Sequence, residues 1–175
     1  MEELIYNQTK IPKEQWRYGL RSSAAVGCGW IATYNALRLM GHPADPEELI
    51  RYYERQLPLI HGNTGTAIWG PALYFKNRGF PVRAEINMSR FDTLGKTSDV
   101  CILFYWWRNG WKLGAHFVCL QYRDGAFVGY NTYRNSAGPD LYGPSLEAFL
   151  KKRKYFGTIL FGLRNRSNSL RSPEK

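Results

Sequence analysis

Residues 24–41 read AAVGCGWIATYNALRLMG, and this stretch predicts the helix around which the chain folds. From residue 29 to 40 the pattern is apolar on nearly every face and Arg38 is the only charge, so we expect a central, buried helix. Gly41 can end it in the left-handed conformation. Cys28 then stands at the helix start, where free N–H groups and the helix dipole favour a thiolate. Cys28 is therefore either a nucleophile or an inert core thiol, because free cysteines are commonly buried.

The elements around this helix predict an α+β domain. Asp45-Pro46 with Glu48 is the pattern of a capped second helix, and a third helix fits 67–78. The second half is rich in β-branched and aromatic residues, which predicts strands at 80–86, 100–107, 111–122, 126–133 and 158–164, with a short helix at 146–152. Asn109-Gly110 and Asp124-Gly125 are placed to form hairpin turns. We expect an N-terminal helical half packed on a C-terminal antiparallel sheet.

Composition limits the class of protein. The 175 residues are 44% hydrophobic and suffice for one globular domain. The net charge is +10, but eight Lys/Arg and one Glu lie within residues 151–175, which predicts a solvated basic end. We expect weak polyanion binding through this end and no specific nucleic-acid recognition. A nucleic-acid-associated protein that binds through its tail is the least favoured alternative.

The cysteines and the apolar pattern exclude further classes. Cys28, Cys101 and Cys119 are odd in number and form no disulfide framework, and no Cys/His cluster has metal-ligand spacing. Cys101 and Cys119 lie in apolar strands, where we expect them to be buried. We predict no metal, no cofactor and no membrane span. The first ten residues lack a secretory signal, so a cytoplasmic location is expected.

His116 is the candidate base. His42 and His61 lie in turn-like segments, whereas His116 lies in GAHFVCL on a predicted strand. If Asp124-Gly125 form a two-residue turn, Val118 faces Asn131, which then lies diagonally next to His116 on one face of the sheet. The amide oxygen of Asn131 could accept from the imidazole and orient it. The alternative is a histidine that is merely satisfied by its neighbours on a half-buried strand.

A cysteine at a helix start, a histidine on a later strand and an asparagine on the next strand resemble the papain-like cysteine peptidases. The spacing resembles the compact bacterial branch that includes the bacteriocin-leader-processing peptidase domains of some ABC transporters. The segments that carry this resemblance are the helix starting at Cys28, ADPEELIRYY, GNTGT, NRGFPV, GAHFVCLQYRDGAFVGYNTY and PSLEAFLKK. It covers about residues 20–165, which we take as the domain, with 1–19 as a lead segment and 166–175 as a flexible basic tail.

The resemblance implies specific roles for residues of this chain. Cys28 is the expected nucleophile, His116 the general base and acid, and Asn131 the orienting residue, although the bacterial branch usually has Asp there. The family has an oxyanion-stabilising Gln about six residues before the nucleophile, and this chain has Ser22 at that position, which makes Ser22 and Gln15 the oxyanion candidates. The residues expected to line the substrate cleft are Gly27, Gly29, Trp30 and Ala115, with burial in the core as the alternative for Trp30.

The expected function is that of a cysteine peptidase, or of a related amidohydrolase or acyl-transfer enzyme, acting on a peptide or amide bond through a Cys-His-Asn triad. Its partner would be a peptide or protein substrate. The alternative is a catalytically degenerate papain-like module that binds peptides and lacks the usual oxyanion Gln. The identity of the substrate and the oligomeric state stay open at this point.

Overall fold

The computed structural model describes residues 4–56, 65–132 and 137–166. The helices are α1 (Ser23–Val26), α2 (Cys28–Leu39), α3 (Pro46–Arg55), α4 (Gly70–Asn77), α5 (Phe91–Lys96) and α6 (Leu146–Arg153). The strands are β1 (Arg17–Tyr18), β2 (Arg21–Ser22), β3 (Val82–Glu85), β4 (Val100–Asn109), β5 (Lys112–Arg123), β6 (Ala126–Tyr130), β7 (Asp140–Gly143) and β8 (Phe156–Leu163). Short 3₁₀ helices lie at Gln8–Lys10 and Met88–Arg90.

The sheet has six strands in the order β3-β8-β4-β5-β6-β7, and every neighbouring pair is antiparallel. Strands β1 and β2 form a separate two-stranded hairpin before α1. The predicted α+β class, with an N-terminal helical half packed on a C-terminal antiparallel sheet, is confirmed. Sequence patterns did not predict α1, α5, β1, β2 or β7, because each of these elements has only two to six residues.

Helix α2 is the centre of the helical half. Its residues from Gly29 to Leu37 are buried, and Gly41 follows it with φ +78, as the apolar pattern and the Gly stop predicted. The helix packs on β5 and on helices α3 and α4. Cys28 is its first residue, as predicted.

Helix α3 begins where the Asp45-Pro46 signal predicted. The carboxylate of Asp45 accepts from the N–H of Glu47 at 2.9 Å. Glu48, predicted to close a capping box, instead accepts from Arg78 at 3.0 Å, and Arg78 also stacks over the Tyr74 ring at 3.8 Å. An exposed carboxylate near a guanidinium prefers this charge-assisted bond to the backbone of its own helix.

Both faces of the sheet are covered. Phe117 and Cys119 of β5 point into the cluster under α2, whereas Val118 and Leu120 point into a second cluster under α5 and α6. The burial predicted for Cys101 and Cys119 is confirmed, and burial raises the pKa of Cys101 to about 12. The second helical layer was not expected, since α5 was not predicted.

The two hairpins differ in how well their turns were predicted. The β5–β6 turn has positive φ at Asp124 (52°) and Gly125 (79°), as the Asp-Gly signal predicted. In the β4–β5 hairpin Asn109 pairs with Lys112, so the turn is Gly110-Trp111 and not Asn109-Gly110. Gly110 alone takes a positive φ (56°), and the Trp111 side chain extends into solvent. His61 lies outside the described residues.

Candidate active site

Cys28 is placed at the helix start and against the sheet. The residue is half-buried, and the main-chain N–H groups of Phe117, Gly29 and Cys28 itself lie near its sulfur. These donors lower the pKa of the thiol, but burial is the larger effect and raises the pKa to about 11. The helix start therefore lowers the pKa of the thiol, as predicted, but burial raises it by more. At neutral pH the resting thiol carries its proton.

His116 lies on β5 next to Phe117 and is fully buried. Its Nε2 is 2.6 Å from the main-chain oxygen of Asn131. Because a carbonyl oxygen can only accept, Nε2 carries the proton and Nδ1 of the neutral ring carries the lone pair. Burial lowers the pKa of His116 to about 4, against a smaller raising effect of the Asn131 oxygen. The imidazole is therefore a neutral base across the physiological range.

Asn131 reaches His116 through its main chain. The predicted register is confirmed, since Leu120 pairs with Gly129 and Arg123 with Ala126. The predicted strand 126–133 nevertheless ends at Tyr130, because Asn131 takes a left-handed φ of 65°. This turn brings its carbonyl to the ring and directs its amide elsewhere, so the expected amide–imidazole contact is wrong. The amide oxygen accepts from the N–H of Gln8 at 2.8 Å.

Gln8 is the site residue that sequence reasoning missed. Its side chain is fully buried, its Oε1 accepts from Nδ2 of Asn131 at 2.9 Å, and its Nε2 donates to the main-chain oxygen of Ala24 at 3.2 Å. It thus connects α1, just before Cys28, with the residue that holds His116. The lead segment 1–19 has no periodic pattern that singles out Gln8. The one available signal was the Gln that the resemblance calls for upstream of the nucleophile.

No protein-family model matches the sequence, and no curated protein matches it. Among solved structures, the chain is similar to the peptidase domain of Streptococcus ComA, a bifunctional ABC transporter involved in a quorum-sensing pathway. The TM-score is 0.53, and the match covers 79% of this chain and 91% of the ComA domain. The fold is papain-like. At 14% identity the likeness extends to the fold alone.

The two oxyanion candidates have different positions in this papain-like fold. Ser22 ends β2 and precedes α1 as a half-buried cap residue, and its side chain makes no capping hydrogen bond. Gln15 is exposed, and its main-chain N–H donates to Pro12 at 3.0 Å. Ser22 is thus half-buried and six residues before Cys28 in the chain. Gln15 is exposed on the surface of the lead segment.

Trp30 is a core residue of this fold. It is fully buried, donates to Oγ of Ser23 at 3.1 Å and packs edge-on against Trp16 at 5.7 Å. The hydroxyl of Ser23 in turn donates to the main-chain oxygen of Trp16. The expectation that Trp30 lines the cleft is therefore wrong, because the indole N–H is satisfied inside the protein.

Gly27 and Gly29 also serve internal packing. A Cβ on Gly29 would lie 2.3 Å from Oγ1 of Thr66, and a Cβ on Gly27 would lie 2.6 Å from the main-chain oxygen of Ser23. The space that we expected to admit a substrate backbone is filled by the protein. Ala115, the fourth cleft candidate, is half-buried and pairs with Trp106 across β4 and β5.

Within the described ranges, no three His, Cys, Asp or Glu side chains are grouped so that they could hold a metal ion. No helix in the same ranges has the length and apolar character needed to cross a membrane.

Proposed function

We propose that this protein is a cysteine peptidase, or a related amidohydrolase or acyl-transfer enzyme, with Cys28 as nucleophile, His116 as base and acid, and Asn131 as the residue that orients His116. One observation carries the proposal. The Cys28 sulfur rests on the N–H of Phe117, directly beside His116 in the strand, and the tautomer of His116 leaves the lone pair on Nδ1. A thiol and a neutral base near the same stretch of β5 are the minimal set for nucleophilic acyl transfer.

The reaction starts from a neutral pair. As the sulfur attacks a peptide or amide carbonyl, Nδ1 of His116 takes the thiol proton, while Nε2–H stays bonded to the Asn131 oxygen. The imidazolium then returns its proton to the leaving amine as the C–N bond breaks, and a thioester on Cys28 results. Water, activated by the neutral His116, hydrolyses the thioester and restores the thiol. Another nucleophile in place of water gives a transfer reaction.

The oxyanion of the tetrahedral intermediate needs donors. The Cys28 N–H lies near the sulfur, beside which the oxyanion forms, and the Ser22 hydroxyl is the nearer of the two side-chain candidates in sequence. Loss of one such donor typically lowers the rate about 100- to 1,000-fold. With a hydroxyl where related enzymes have a Gln amide, we expect a slow enzyme.

One observation favours the second candidate function, a peptide-binding module without catalysis. Burial raises the pKa of Cys28 to about 11, so the resting thiol carries its proton, as an inert core thiol does. The two functions differ in whether His116 assists the thiol.

The test is the pH dependence of Cys28 alkylation by iodoacetamide, followed by intact-mass spectrometry. If His116 is the base, the rate rises as the imidazole loses its proton near pH 4, forms a plateau, and rises again as the thiol ionises towards pH 11. His116→Gln should lose the plateau and retain the final rise. His42→Gln, which changes a histidine bonded to Asn165, is the matched control and should keep the wild-type profile.

Cys28→Ala identifies which label belongs to Cys28, since Cys101 and Cys119 are buried. Identical profiles for the wild type and His116→Gln would contradict the catalytic proposal and favour the binding module. Hydrolysis is then sought with peptide mixtures, and the acyl-enzyme is detected as a mass adduct that Cys28→Ala does not form.

A further inference from the structure

A surface cavity of about 540 Å³ opens beside His116, at the end of β4. Two of its lining residues contact the candidate catalytic residues. The ring of Tyr105 packs edge-on against the His116 imidazole at 5.9 Å, and Thr132 directly follows Asn131 in the chain. The other lining residues that matter here are Trp107, Arg108, Arg153 and Tyr155.

The described walls of the cavity carry positive charge. Arg108 and Arg153 both line it, and none of the described residues around it is acidic. Neither arginine forms an ion pair within residues 4–56, 65–132 and 137–166. The Arg153 guanidinium lies 5.6 Å from the Phe149 ring centre, which restricts its position without neutralising it. Two guanidinium groups at one opening are suited to a carboxylate.

The hydroxyl of Thr132 supplies a third donor. Thr132 is only 7% exposed, and its Oγ1 has no hydrogen-bond partner among the described residues. A buried hydroxyl without a hydrogen-bond partner lowers the stability of the fold unless a ligand or a water molecule forms a hydrogen bond with it. It lines the same cavity as the two arginines.

Aromatic rings form the apolar part of the cavity. Tyr105 and Tyr155 stack at 4.2 Å with their planes 9° apart, and Trp107 is half-buried beside them. Such a surface packs against the aliphatic or aromatic side chain next to an anionic group.

We propose that this cavity is a carboxylate-binding site for a peptide ligand of this protein. Arg108 and Arg153 hold the carboxylate, the Thr132 hydroxyl donates to it, and the Tyr105–Tyr155 pair packs against the neighbouring side chain. The choice of a peptide as the ligand rests on the proposed function. The carboxylate belongs either to an acidic side chain or to a peptide C-terminus, and the experiment separates the two.

The test measures binding to the full-length Cys28→Ala chain by NMR titration. The probes are acetyl-Ala-Ala-Glu-Phe-amide, its Gln counterpart, and the Gln peptide with a free C-terminal carboxylate. At least one carboxylate-bearing peptide should bind about tenfold more tightly than the neutral peptide, since charge-assisted bonds to two guanidinium groups replace neutral ones. Preference for the Glu probe assigns the site to an acidic side chain, and preference for the free carboxylate assigns it to a C-terminus.

Arg108→Gln and Arg153→Gln should each remove most of that discrimination. Arg51→Gln makes the same change in net charge at an exposed position on α3, a helix that packs on α2, and should preserve it. Thr132→Val, which keeps the shape and removes the hydroxyl, should weaken binding of the carboxylate peptide selectively, with a melting temperature that does not fall.

Equal binding of the three peptides, or no binding of any of them, overturns the proposal. So does an Arg51→Gln effect as large as that of Arg153→Gln, because it would show unspecific attraction by net charge. None of these outcomes depends on hydrolysis, since the binding chain lacks the thiol. The subsite can fail while the alkylation profile still supports catalysis, and it can hold in a protein that only binds peptides.

Discussion

Gln8 and Asn131 lie 123 positions apart in the chain and are joined by two hydrogen bonds, from the Gln8 N–H to the Asn131 amide oxygen at 2.8 Å and from Asn131 Nδ2 to the Gln8 side-chain oxygen at 2.9 Å. The main-chain oxygen of the same Asn131 accepts from His116. The lead segment therefore takes part in positioning the imidazole, and this relationship makes Gln8 testable as a positioning residue.

Gln8→Leu should destabilise the fold by about 1–3 kcal/mol, because the buried Asn131 Nδ2 loses its acceptor while the main-chain N–H of residue 8 still donates to the Asn131 amide oxygen. It should also shift the His116 pKa, measured by NMR titration of the ring, since the orienting carbonyl is released. Gln15→Leu is the matched control at an exposed position and should change the free energy of unfolding by less than about 0.5 kcal/mol. A Gln8→Leu chain with an unchanged His116 pKa would limit Gln8 to a structural role.

Asn131→Gly should be more stable than Asn131→Ala by about 1 kcal/mol in urea unfolding. Both variants lose the amide bonds to Gln8, and they differ in the cost of a Cβ at a φ of 65°. Because the main-chain oxygen holds His116, Asn131→Gly should also keep more of the alkylation plateau. An Ala variant as stable as the Gly variant would show that the left-handed turn carries no strain.

His116 should make the fold less stable in mild acid. Its pKa is lowered from 6.5 to about 4, so the unfolded chain takes up a proton more readily than the folded one. The neutral His116 therefore contributes fully to the free energy of unfolding above about pH 6.5. This contribution, about 3 kcal/mol in total, is lost as the pH falls to about 4.

The measurement compares urea unfolding of the wild type and His116→Gln at several pH values between neutral and about pH 4. Surface carboxylates contribute equally to the stability of both chains. The difference in unfolding free energy between the two chains therefore reports the contribution of His116 alone. A difference that stays constant with pH would mean that the folded imidazole is protonated as readily as the unfolded one.

Gly29→Ala should cost about 1–3 kcal/mol, because its Cβ would collide with the Thr66 side chain inside a packed region. Gly138→Ala is the matched control, since no atom of the described residues lies within 4 Å of the added methyl, and it should change the unfolding free energy by less than about 0.5 kcal/mol. Equal effects of the two substitutions would show that Thr66 moves aside freely. The alkylation rate of Cys28 in Gly29→Ala then reports whether the start of α2 has shifted.

Local chemistry made the main elements predictable. The unbroken apolar pattern of α2, the Asp45-Pro46 start of α3 and the Asp124-Gly125 turn depend on neighbours within a few positions, and each predicted strand begins and ends within about three residues of its place. The turn also set the β5–β6 register and thereby brought Asn131 near His116.

By itself, then, the sequence determined the α+β class, the placement of Cys28 at a helix start and the approach of His116 to Asn131, because period, capping and turn preferences act along the chain. Only the tertiary structure decided that a main-chain oxygen holds the imidazole, that Gln8 supports it, and that Thr66 fills the space beside Gly29. It also decided that burial outweighs the helix start at the Cys28 thiol. Desolvation and contacts between distant segments depend on how the layers pack, and no local pattern carries that information.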